Sequence, residues 1–95
     1  MSAKNEFVND LNKMILEVSD NLDSRRKGFE GDGSIRELEA ILKELRKIKS
    51  NILKGKMPDP ENRFVEFERL TAGGWEPDSE LGSRLIGLAE RYKKP

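Results

Sequence analysis

Apolar residues recur every three or four positions through most of this chain, with charged and polar residues filling the intervals. Phe7, Leu11, Met14, Ile15, Val18 and Leu22 share one arc at helical spacing, which predicts an amphipathic helix from about Lys4 to Asp23. Leu16 points the opposite way. The clearest pattern follows, from Ile35 to about Lys54: Ile35, Leu38, Ile41, Leu42, Leu45, Ile48, Ile52 and Leu53. Its alternating steps of three and four resemble a coiled-coil seam, on too short a run to establish one. Gly55 stops this second helix, and Pro58 and Pro60 begin the next connection.

The third segment, PENRFVEFERLTAGG, offers a proline suited to a first helical turn, then Phe64, Phe67 and Leu70 on one side. Val65 sits between the aromatics, so a strand is also compatible locally, and Gly73 and Gly74 end the segment either way. After Trp75, the stretch EPDSELGSRLIGLAERYKK predicts a last helix capped by Asp78, with Leu81, Leu85, Leu88, Ala89 and Tyr92 on its inner face. Gly82 and Gly87 are unfavourable in a helix interior, and close approach of a neighbouring helix would explain them. The short connections predict antiparallel neighbours. The expected architecture is all-α: one helical domain over residues 1–95, a small antiparallel helical bundle of three longer helices and one short helix.

Composition narrows the function more than it specifies one. The 95 residues carry 18 basic and 18 acidic side chains and no net charge, which disfavours a general nucleic-acid binder. The charge is unevenly distributed along the chain. Residues 35–57 carry +4, whereas residues 1–34 and 58–95 each carry −2. Cysteine and histidine are both absent, which removes disulfides, thiolate chemistry and the usual zinc ligands. No cofactor or metal site is expected. The opening MSAKNEFVND holds no apolar run fit for export, and nothing approaches a membrane span, so a cytoplasmic location is expected.

The stretch GFEGDGSIRELE, residues 28–39, comes closest to a recognised site. Read as a calcium loop beginning at Gly28, it places Glu30, Asp32, Gly33, Ile35 and Glu39 at fitting positions. Its first position has no carboxylate, however, and Arg36 would aim a cation at the ion. Read as a phosphate loop, it lacks the lysine before Ser34, and Glu30 and Asp32 would repel a polyphosphate. Ser34 followed three residues later by Glu37 is instead a capping box opening the second helix. Gly31 and Gly33 would make the tight turn, and Phe29 would fold onto the core between the two helices.

Arg36, Lys43, Lys47 and Lys54 fall within about 40° of one another on the second helix, with Arg46, Lys49 and Lys56 adding charge to the same segment. A helix needs a solvated face, and Glu39 and Glu44 offset part of this charge. Such a stripe also suits an acidic protein surface or an RNA backbone, though no aromatic stacking platform accompanies it. Lys49 lies inside the apolar arc, where it would snorkel at a bundle edge or mark part of an interface. Trp75 is the sole tryptophan, fit either to close the core or to anchor a partner.

Catalysis finds little support, since a base would have to be a carboxylate or lysine with a strongly shifted pKa. The expectation is therefore noncatalytic protein binding, in the form of a small bacterial immunity-type protein that occludes a cognate toxin or enzyme. That form rests on size and architecture alone. The binding residues would be Arg36, Lys43, Arg46, Lys47, Lys54 and Trp75, facing an acidic partner. The alternatives are an RNA-binding or ribosome-associated helical module and a homodimeric structural or adaptor subunit.

Overall fold

The described residues form four α-helices and one 3₁₀ turn: α1 (Ala3–Arg26), α2 (Ile35–Leu53), the turn at Pro60–Asn62, α3 (Glu66–Gly74) and α4 (Glu80–Lys93). The computed structural model describes residues 3–31, 33–63, 65–76 and 78–94, and among these no strand forms. Each helix packs on two others: α1 on α2 and α4, and α3 on the same two. The helices therefore stand at four corners, with α1 diagonal to α3 and α2 diagonal to α4.

Side-chain pairs fix their directions. Arg26 at the end of α1 meets Glu39 near the start of α2 at 3.6 Å, and Asp10 and Glu17 meet Arg91 and Arg84 of α4. The first turn of α3 lies against Glu44 of α2, and its last residue, Gly74, lies beside Glu37. Neighbours are antiparallel throughout. The long axis of 38 Å follows from α1 itself, whose 24 residues span about 36 Å.

One apolar cluster fills the centre, with Leu11, Val18, Leu38, Ile41, Leu45, Ile52, Phe67 and Leu85 wholly removed from water. These are the inner positions that the spacing predicts on each helix. At its foot the Phe7 and Tyr92 rings stack, with centroids 6.0 Å apart. No helix among the described residues is long and apolar enough to cross a membrane.

Helix ends account for most departures from the sequence reading. α1 continues three residues past Asp23 and closes in a Schellman motif. There Gly28, at φ +93°, donates to the Arg25 carbonyl, and Phe29 donates to that of Ser24. That motif turns the chain outward, so Phe29 is 63% exposed and does not fold onto the core. The left-handed positions in this connection are Gly28 and Gly33; Gly31 is not one of them. α2 ends likewise, with Gly55 donating to Ile52 and Lys56 to Asn51.

The apolar arc of α2 is wider than its buried face, leaving Ile35 38% and Leu53 67% exposed. The third segment divides in two, since its proline opens the 3₁₀ turn and α3 begins only after Val65. Phe64 and Asp32 lie outside the described residues. The cap of α4 is Ser79, whose Oγ accepts from Gly82 N at 2.9 Å, and not Asp78. The nearest atoms to a Cβ at Gly82 belong to Ser79 and the Trp75 ring, while a Cβ at Gly87 would meet nothing within 4 Å outside its own helix among the described residues.

Candidate protein-binding face

The cationic residues of α2 emerge where its wheel places them. Arg36, Lys43 and Lys47 are exposed on the side turned away from the core, Lys54 continues the row at the C-cap, and Arg46 is exposed on the edge toward α1. Among the described residues none of the five enters an ion pair. The carboxylates of the same helix are all engaged. Glu37 accepts from Ser34 N at 2.9 Å while Ser34 Oγ accepts from Glu37 N at 3.1 Å, completing the capping box. Glu39 pairs with Arg26 of α1.

Glu44 does something the sequence does not announce. α3 has Val65 at its N-cap, which offers no side-chain acceptor. Glu44 reaches across from α2 and accepts from Glu66 N at 2.9 Å and Phe67 N at 2.8 Å. A carboxylate on the first backbone amides of a helix satisfies orphan donors and complements the helix dipole. Glu39 and Glu44, which the sequence sets against the stripe, are thus directed at α1 and at the N-terminus of α3. The outer face of α2 keeps its positive charge.

Trp75 does not join that face. It is half-buried at the junction of α3 and α4, packed against the core cluster, with its ring over Gly33 and against Gly82. A Cβ on Gly33 would lie 2.5 Å from its Cζ2. Its indole N–H is buried and has no hydrogen-bond partner among the described residues. Trp75 shares one end of the bundle with Arg36, while Lys54 lies 18 residues along α2, about 27 Å away. Of the two roles the sequence allows, the ring is placed as a core lid, and the candidate residues divide into a stripe and a separate end plug.

Surface grooves run between helices. One, of about 440 Å³, lies between α1 and α4 on a floor of Met14 and Leu88, open at Gly87 and bounded by the Asp10–Arg91 and Glu17–Arg84 pairs. A second, between α1 and the first half of α2, holds Lys43 and Arg46 together with Asp23 and the Arg26–Glu39 pair. The third lies between α1 and the last turns of α2 and is lined by Ile15, Arg46, Lys49, Ser50, Leu53 and Lys54. Lys49 does sit at a bundle edge, half-buried. The one sign in the sequence of this third recess is that Leu53 and Lys49 both belong to an apolar arc wider than the face α2 buries.

No side-chain cluster suited to a metal ion occurs among the described residues. Tyr92 is buried, and its phenol is held above its ordinary value of 10.0 chiefly by that burial, which Arg63 opposes and Glu44 reinforces. It belongs to the packing of the core's foot. Compared with family models, with curated proteins and with solved structures, the chain matches none.

Proposed function

We propose that this chain is a noncatalytic binding module that meets the acidic surface of a protein partner with the outer face of α2. The observation that carries the reading is the asymmetry of that helix: its carboxylates are committed to helix ends and to α1, while Arg36, Lys43, Arg46, Lys47 and Lys54 are exposed and unpaired among the described residues. Complementary charge of this kind speeds encounter and selects partners. Occlusion of a cognate toxin or enzyme, in the manner of an immunity-type inhibitor, is the form that the size and architecture match, by analogy alone.

RNA is the weaker partner, because the chain carries no net positive charge and its sole tryptophan lies half-buried against the core. The test is affinity purification of the tagged chain from its native cells with nuclease treatment, in parallel with a Lys43→Glu/Lys47→Glu variant. Both positions are exposed, so the variant should melt within about 0.5 kcal/mol of the parent. A stoichiometric protein held by the parent after nuclease and lost from the variant is the expected result. Material released by nuclease, or a protein retained equally by both, sinks the reading.

A further inference from the structure

The third recess differs from the other two in the sign of its rim. Arg46, Lys49 and Lys54 surround it with Ser50, and among the described residues no carboxylate lines it. The α1–α4 groove and the upper α1–α2 groove carry both cations and acids, among them the Arg91–Asp10, Arg84–Glu17 and Arg26–Glu39 pairs. The apolar part is also unusual. Leu53 is 67% exposed, and Ile15 is only partly buried although it packs against the core. A concave apolar spot ringed by one sign of charge is what an anchored, charge-matched contact requires.

We infer that this recess seats an apolar side chain of an acidic amphipathic helix belonging to the partner. The inference rests on the protein-binding reading of α2 and specifies which part of a partner meets it. Charge and shape choose the occupant. A second copy of this chain docking on the same patch would face Arg46, Lys49 and Lys54 with those same cations, because a twofold interface is self-complementary. A phosphate backbone would meet the cations and leave Ile15 and Leu53 unused. A bilayer surface is flat and would not fill a recess of about 370 Å³ between two helices, whereas a leucine- or phenylalanine-sized side chain enters one.

The geometry also gives a spacing. Arg46 and Lys54 are eight residues apart on α2, about 12 Å along the axis, with Lys49 and Ser50 midway. A partner helix running along α2 would bring its anchor over Lys49 and Ser50 and acids to both flanks if it reads acid, three residues, apolar anchor, three residues, acid. Such an i, i+4 set lies on one helix face. Helix-in-groove recognition reads peptides in this manner.

A random peptide library displayed on phage and selected against the full chain tests this without presuming the sequence. The enriched peptides should carry the acid–apolar–acid spacing. Synthetic copies should shift the amide resonances of Ile15, Ser50 and Leu53, and Leu53→Ala should weaken them by about tenfold. Leu53 is exposed, so that variant should melt as the parent does, and Lys49→Glu provides a second variant with the same expected loss. Failure to enrich any binder, or enriched peptides of another pattern that bind Leu53→Ala unchanged, overturns the assignment. Peptides insensitive to Leu53→Ala but weakened by Lys43→Glu/Lys47→Glu overturn the recess alone and leave the acidic-partner reading standing. Peptides insensitive to both variants remove both. Leucine-dependent cosedimentation with phosphatidylserine-rich vesicles, or a concentration-dependent mass abolished by Leu53→Glu, would hand the recess to lipid or to a second copy and overturn the proposal as well.

Discussion

Two glycines of this chain have opposite reasons to be where they are. Gly33 has φ +72°, and a Cβ there would strike the Trp75 ring 2.5 Å from Cζ2 and 2.8 Å from Cε2. Both backbone and space require glycine. Gly33→Ala should therefore destabilise the fold by more than about 1 kcal/mol, and the fluorescence of the sole tryptophan should shift to the red as the ring loses its seat. Gly87 lies in the middle of α4 with ordinary helical backbone and open space around it. Gly87→Ala should stabilise by about 0.5–1 kcal/mol, the ordinary helix penalty of glycine. Urea melts of the two variants should move in opposite directions. A loss of stability at Gly87 would mean that the α1–α4 groove is narrower than its geometry indicates.

At the level of the helices, the start of α3 and the end of α4 are held by residues distant in sequence. Glu44 caps α3 across 22 positions. Arg63 donates through Nε to the Pro58 carbonyl at 2.8 Å and through NH1 to those of Tyr92 and Lys94, closing the C-terminus of α4 with its guanidinium over the Tyr92 ring. A cation on terminal carbonyls complements a helix dipole as a carboxylate complements the opposite end. Glu44→Ala should cost about 1–2 kcal/mol, in the range of a lost cap, and should speed hydrogen exchange in α3 ahead of α1 and α2. Arg63→Ala should cost about 2 kcal/mol by removing charge-assisted bonds. Uniform exchange throughout the bundle of the Glu44 variant would count against a local capping role. The contrast with Ser34 and Glu37 explains what sequence reading reaches. A capping box is a three-residue pattern and is legible, as is the inner face of each helix. Glu44 and Arg63 read as ordinary surface charges, because periodicity carries no information on which residue 22 or 29 positions away stands opposite. Phe29 was misleading for the same reason: its hydrophobicity is visible, whereas the Schellman turn that throws it outward depends on where α1 stops.

Across the whole molecule the elements meet at Tyr92, where α4, the Phe7 ring of α1, Arg63 from the connection before α3 and Glu44 of α2 converge. The stripe on α2 was legible because a helical wheel suffices to find it. The neighbouring recess needs α1 beside α2, and only the packed bundle supplies that. Tyr92 provides a probe of the packing as a whole. Burial is the first cause holding its phenol above 10.0, opposed by Arg63 and assisted by Glu44, so the folded state keeps the proton after the unfolded chain has released it. The folded value is the higher one. The associated stability is complete below the unfolded value and is lost as pH rises through the folded one. The informative quantity is the difference between the parent and Tyr92→Phe, because every other titratable group is common to the two chains. Urea melts from about pH 9 to about pH 11 should show the parent losing stability more steeply than the phenylalanine variant, which has no proton to release. Parallel curves would mean that the phenol reaches water in the folded chain and that the foot of the bundle is open. A steeper parent curve would show that deprotonating one side chain of α4 loosens the site where α1, α2, α4 and the connection before α3 meet.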